Sequence, residues 1–184
     1  MKGLILSIAL AFVSSQALAC GKWRWSVKTG TDRDAQQVNV NNVQPTTIAN
    51  LVSLPLPFNP PRWNAYPQHS RIAPTEDTVF NIHATIIEIR HEADDDYHLL
   101  VQDSSGNTMV TEIPSPSCVG ASSPFLPLIS AARSYLKQNW SGGTRVNIPA
   151  SVTGVAFFDF PHAGGSAPNG IELHPVLKVR FLNQ

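Results

Sequence analysis

Apolar and β-branched residues gather into strand-length runs in the second half of the chain, while the first half shows no long periodic segment. Residues 78–91 carry Val79, Ile82, Thr85, Ile86, Ile87 and Ile89, a pattern that predicts a long strand. The acidic stretch Glu92 to Asp96 makes a turn, and residues 97–103 read as a second strand. Ser104-Ser105-Gly106-Asn107 forms a hairpin turn, and residues 108–113 are a third strand, ended by Pro114 and Pro116. Ser123 followed by Pro124 marks a helix start. Phe125, Leu128, Ile129, Ala132 and Leu136 then recur at helical spacing as far as Trp140, and Ser141-Gly142-Gly143 stops the helix. Residues 145–160 form a fourth strand with a bend expected at Gly154. A glycine-rich loop follows over 161–170, and residues 171–182 are the last strand.

Three meandering strands, a helix and two further strands is the element order of the OB-fold, a small five-stranded barrel. The predicted class is therefore mainly β. An OB-fold-like barrel spans 76–184, with one helix between its third and fourth strands, and an irregular arm spans 20–75. Within the arm, Trp23 and Trp25 flank Arg24, Lys28 to Asp32 looks like a turn, and Pro45 to Ser53 suggests a short helix. Pro55, Pro57, Pro60, Pro61 and Pro67 exclude regular structure beyond it. Phe58, Trp63 and Tyr66 lie among these prolines, as expected of an ordered segment pinned to the domain by aromatics.

Residues 1–19 have another character. Met1-Lys2 supplies a positive start, Gly3 to Val13 is uncharged and largely apolar, and Ala17-Leu18-Ala19 is a small-x-small cleavage site. Together they make a secretory signal peptide. The run is too short to cross a bilayer, and nothing later approaches about 20 apolar residues. The protein is thus expected to be exported, to the periplasm or beyond the cell. Cys20 would open the mature chain, which allows a lipid anchor or a disulfide with Cys118, the one other cysteine. Ala17 and Leu18 fit a lipoprotein signal poorly, and an exported chain with two cysteines favours pairing.

Composition narrows the partners. The 184 residues carry 13 basic and 13 acidic side chains, for a net charge of zero. That balance lacks the basic excess of a nucleic-acid binder and argues against one. Alternation along a strand puts Glu172 and His174 on one face and Leu173 on the other, and likewise groups His98, Leu100 and Gln102. Asp159, His162 and Asn169 come from the loop before the last strand. Of these, His98, Asp159, His162, Glu172 and His174 offer imidazole and carboxylate groups suited to a metal ion. The same groups suit general acid–base work, with Glu172 orienting a histidine. They equally suit hydrogen bonds that simply hold a barrel strand, since no metal-binding or catalytic motif of fixed spacing is present. Asp94-Asp95-Asp96 has oxygen ligands for calcium but lacks an EF-hand pattern, so a solvated turn is expected. Lys28-Thr29-Gly30-Thr31-Asp32 lacks the order of a phosphate-binding loop.

Several segments together are distinctive. Cys20-Gly21 with Arg24-Trp25-Ser26-Val27-Lys28-Thr29-Gly30-Thr31-Asp32, Asp96-Tyr97-His98-Leu99, Glu112-Ile113-Pro114 with Cys118, and Asn169-Gly170-Ile171-Glu172-Leu173-His174-Pro175-Val176 resemble a family of exported bacterial proteins. That resemblance brings no activity, cofactor or catalytic residue with it. It implies that arm and barrel form one unit, and that Cys20 is structural rather than lipidated. The leading functional expectation is an exported binding or structural module whose ligand or protein partner the sequence does not name. The alternative is a metal-dependent hydrolase of phosphodiesterase or nuclease type using His98, Asp159, His162, Glu172 and His174. The intact mass of the exported protein should match a chain beginning at Cys20 without added lipid; a diacylglyceryl-modified N-terminus would establish the anchor instead.

Overall fold

The computed structural model describes residues 20–58, 62–161 and 164–182. Residues 1–19, expected to be a signal peptide, and candidate His162 lie outside these. The arm contributes helix α1 (Trp25–Thr29), strand β1 (Val43–Thr46) and helix α2 (Ile48–Val52). The remainder runs β2 (Val79–His91), β3 (Tyr97–Gln102), β4 (Thr108–Ile113), α3 (Leu126–Asn139), β5 (Arg145–Phe158) and β6 (Ile171–Phe181). The sheet order is β1-β2-β3-β4-β6-β5, with β5 returning to pair with β2. Strands β2 to β6 thus close a five-stranded barrel in which β4 and β6 are parallel and the other barrel pairings antiparallel. With α3 between β4 and β5, this is the OB-type architecture that the element order predicts.

Alternation fills the interior. On β3, Leu99 and Val101 are fully buried, and Ile82, Ile86 and Ile89 of β2 face the same core. Phe125, Ile129, Ala132 and Leu136 bury one side of α3 against the barrel. Near Gly154 the β5–β6 register slips, where a Cβ would lie 2.9 Å from both Leu173 Cβ and the Pro175 carbonyl. A side chain has no room at this bend.

Three local expectations change. Helix α3 begins at Leu126 rather than at Ser123-Pro124, because Ser123 Oγ accepts the Phe125 N–H and donates to the Thr29 carbonyl. The helix expected from Pro45 starts at Ile48, capped by Thr47 Oγ1, which accepts the Asn50 N–H. Pro45 instead lies in β1, an edge strand paired in parallel with the start of β2, where a missing N–H costs no ladder bond. The segment 25–29, expected near a turn, is the helix α1. It ends at Gly30, whose φ of 71° and close approach to the Phe125 ring exclude a Cβ.

The arm is fastened to the barrel by charge and covalently. Arg24 Nη1 and Nη2 donate to Glu76 Oε1 and Oε2 at 2.6 and 2.7 Å, with both side chains fully buried. The other guanidinium donors reach the carbonyls of Pro67, Ser70 and Phe158. Glu76 also accepts the N–H groups of Ile72 and Phe158. Nearby, Arg71 pairs with buried Asp32 at 2.8 Å. Cys20 and Cys118 form a disulfide across 98 residues, as the two-cysteine count predicts. Replacing Glu76 by Ala strands a buried guanidinium, so the variant should lose about 3–5 kcal/mol of stability in urea unfolding. A change below about 1 kcal/mol would show that the pair does not hold the arm.

Candidate functional site at one barrel end

Strand register builds the site. The 104–107 turn sets the β3–β4 hairpin so that His98 stands opposite Glu112. Thr111 of β4 pairs with Leu173 of β6, which brings the next residues, Glu112 and His174, side by side. The barrel interior takes Leu99 and Leu173, so His98, Glu112, Glu172 and His174 lie on the outer face. They are nevertheless buried or half-buried there, because α1 and its flanking residues lie over this part of the sheet.

Glu112 is the hub. Its Oε1 lies 3.1 Å from His98 Nδ1, and its Oε2 lies 3.0 Å from His174 Nδ1. The His174 ring is flanked by Trp25, 6.4 Å away edge-on, and Phe157, 5.7 Å away. Trp25 is itself fixed by donating from Nε1 to the Cys118 carbonyl at 3.1 Å. Asp96 closes the β2–β3 turn; its Oδ1 accepts the Ser115 N–H at 2.7 Å. Lys28 of α1 reaches into the group, with Nζ 2.7 Å from Asp159 Oδ2 and 5.1 Å from the centre of the Phe157 ring. Asp159 is positioned by its N–H donating to the Gly170 carbonyl at 2.8 Å. Above these groups opens a pocket of about 250 Å³, lined by Trp23, Trp25, Lys28, Asp94, Asp96, Glu112, Asp159 and Phe160 together with Gly21 and Lys22.

The charges are strongly coupled. Burial alone would lower the Lys28 pKa, but Asp159, then Glu112 and Glu172, outweigh it and hold the ammonium firmly protonated. Burial lowers the His174 pKa, and Lys28 adds to the effect, so the imidazole is neutral. Glu112 is kept ionised against its own burial by His174, His98 and Lys28. Burial pushes Asp96 up to about 7, helped by Asp94 and Glu112 and opposed by the Ser115 N–H.

Of the residues expected from sequence, His98, Asp159, Glu172 and His174 converge at this end of the barrel. They do not form one ligand set: Glu112 stands between the two histidines, and Asp159 is paired with Lys28. The group with metal-ligand spacing is Asp96, Glu112 and His174, whose donor atoms lie within 4.8 Å of one another. Asp96, expected to be a solvated turn residue, is 2% exposed. Lys28, expected in a turn, projects from a helix into the pocket. Glu112 escaped the list of candidates, although the hairpin turn alone sets it opposite His98. Larger openings of about 590 and 560 Å³ lie beside β1 and β2, but they gather no comparable group of ionisable side chains.

No protein-family model and no curated protein matches the chain. Among solved structures it is similar to one described as an aspartyl-tRNA synthetase from Leishmania major Friedlin, with 11% identity over 79% of this chain and a TM-score of 0.47. A second is Entamoeba histolytica asparaginyl-tRNA synthetase in complex with asparaginyl-adenylate, with 13% identity over 61% of this chain and a TM-score of 0.39. The matches span 22% of each of those chains.

The two shifted groups affect stability with opposite signs. Asp96 binds its proton more tightly folded than unfolded, so its contribution falls as pH rises from about 4 towards 7. His174 binds its proton less tightly when folded, so its contribution rises with pH towards 6.5. Asp96→Asn removes the falling part. Urea unfolding in EDTA should therefore show the variant gaining more stability than wild type between pH 4 and 7. Parallel profiles would show that Asp96 does not titrate in this range.

Proposed function

We propose that the protein is an exported binding module that takes a compact cation in the barrel-end pocket. The observation that carries this reading is the pocket lining: Asp94, Asp96, Glu112 and Asp159 stand beside the rings of Trp23, Trp25 and Phe160. Lys28 is committed to Asp159, so negative charge remains in excess even with Lys22 at the rim. Carboxylates attract a cation directly, and ring faces add to the attraction when the cation is desolvated. Export is supported by the three-part signal pattern of residues 1–19 and by the Cys20–Cys118 disulfide, a bond characteristic of oxidising compartments.

The same lining argues against a nucleic-acid ligand. OB-folds take oligonucleotides on the face of their second and third strands and between flanking loops. Here the corresponding loops bring Asp94, Asp96 and Asp159, and α1 occupies the space between them. A phosphate backbone would meet carboxylates where such proteins normally present cations and open aromatic surface.

A metal-dependent hydrolase is the second reading, favoured by the Asp96–Glu112–His174 donor set. Its signature would be metal-dependent cleavage of a phosphodiester such as bis(p-nitrophenyl) phosphate, lost in His174→Ala.

For the binding module, thermal unfolding of the mature chain against chloride salts of divalent, alkali and tetramethylammonium cations is the test. A ligand present at 100 times its Kd should stabilise by about 2.7 kcal/mol, roughly 5–10 °C for a domain of this size. Asp94→Asn combined with Trp23→Ala should reduce that shift. Stabilisation by a single-stranded oligonucleotide and by no cation would overturn the proposal.

A further inference from the structure

We infer that Asp96, Glu112 and His174 form a site for one divalent transition-metal ion of the zinc class at the floor of this pocket. The inference rests on the binding-module reading and names its ligand.

Geometry comes first. One donor atom from each residue lies within 4.8 Å of the other two. Tetrahedral zinc with bonds of about 2.0–2.2 Å requires donors roughly 3.3–3.6 Å apart, a contraction within reach of small side-chain rotations. The three residues come from the β2–β3 turn, the end of β4 and the start of β6, so the closed barrel fixes them relative to one another. Three protein ligands leave a coordination position open towards the pocket.

Unpaired polar atoms make the second, independent observation. Asp96 is 2% exposed and lines the pocket, yet its Oδ2 has no hydrogen-bond partner among the described residues. His174 is 1% exposed, and its Nε2 likewise has none among them. Each such group carries a desolvation cost of about 1–3 kcal/mol if nothing binds it. A metal ion meets the need of Asp96 directly, since it is bound by a lone pair and requires no donor hydrogen. On His174 the nitrogen facing the group is Nδ1, 3.0 Å from Glu112 Oε2 and also without a well-formed hydrogen bond among the described residues.

Supporting contacts are also in place. Metal ligands are normally oriented by outer hydrogen bonds that fix ring and carboxylate. Ser115 N–H holds Asp96 Oδ1, His98 Nδ1 stands at Glu112 Oε1, and Trp25 and Phe157 hold the His174 ring. The donor set decides the class. Calcium takes six to eight oxygens, and magnesium keeps most of its water. One imidazole with two carboxylates suits zinc and its neighbours. Lys28 is the local opponent: its ammonium already lies in the field of Glu112 and Glu172, so it weakens any added cation, and its removal should strengthen metal binding.

The test is a titration of EDTA-stripped mature protein with Zn²⁺ and Co²⁺, read by calorimetry, by bound metal per chain and by the visible absorption of Co²⁺. Expected are one equivalent bound, at least a hundredfold weaker binding in Asp96→Asn and in His174→Gln, and tighter binding in Lys28→Met. Circular dichroism confirms that each variant is folded, and the nearly isosteric Asp96→Asn keeps the test decisive if His174→Gln does not fold. Binding unchanged in Asp96→Asn, or a preference for Ca²⁺ or Mg²⁺ over Zn²⁺, would overturn the site or its class. If no transition metal binds while another cation still stabilises the fold, the metal inference alone fails. If no cation binds, the binding-module reading fails with it.

Discussion

The buried pair between Arg24 and Glu76 is the constraint on which the barrel-end site depends. A guanidinium has five N–H donors and an ionised carboxylate about four acceptor positions. Here all five donors and four acceptor contacts are used. Such completeness is what makes burial of two charges tolerable, since a half-satisfied pair at zero exposure would cost several kcal/mol. The rings of Trp23, Tyr66 and Phe157 pack around the guanidinium, the nearest 4.8 Å from it, and exclude water from the contact. Its partners span the arm, residues 67–76 and the end of β5, so one side chain sets where α1 sits.

That placement has a chemical consequence. On a bare OB-type barrel, the face bearing His98, Glu112, Glu172 and His174 would be wet, and its ionisable groups would keep ordinary affinities for protons. The arm roofs it. Trp25 comes to rest against His174, and Lys28 is delivered from the same helix into the carboxylates. Burial by itself favours the uncharged form of every group here: it lowers the His174 pKa, with Lys28 adding to the effect, while His174, His98 and Lys28 together hold Glu112 ionised against it. The fold supplies the array of donors, and the arm supplies the low-dielectric setting in which they act.

Sequence patterns carry much of this architecture and little of the roof. Strand runs, the 104–107 hairpin turn and the apolar spacing of α3 each follow from local chemistry, so the barrel order is legible. So is the Cys20–Cys118 pair, because two cysteines in a chain whose sequence predicts export leave few alternatives. Helix α1 is not: five residues hold no periodicity, and its stability comes from the Arg24 contacts and from Thr29, whose hydroxyl donates to the Trp25 carbonyl. Strand β1 is hidden by Pro45, which reads as a helix or loop residue until an edge position is known. The site is partly legible for the same reason. Alternation groups Glu172 with His174, and hairpin register groups His98 with Glu112. Joining these pairs needs the parallel β4–β6 contact, which is non-local. Asp96 looks like a solvated turn residue until Pro114-Ser115 folds back over it and the arm closes above.

The distribution of satisfied and unsatisfied groups separates support from function in this molecule. Arg24, Glu76, Arg71 and Asp32 are as deeply buried as His174, and their charges are paired within the protein. Asp96 and His174 each keep a buried atom without a partner among the described residues. Burying an ion costs more than burying a neutral polar atom, so the two kinds of site differ in which groups have been paired and not in how deeply they lie. Native structures seldom tolerate such atoms without a compensating use, and stability of a domain this size is a small difference between large terms. The fully bonded Arg24–Glu76 pair and the disulfide fasten the roof, which lets the groups beneath it stay poorly satisfied without the arm lifting away. Asp96 lies in the pocket wall and His174 is enclosed by Trp25 and Phe157, so the arm that forms the roof also sets how deeply these two groups are buried.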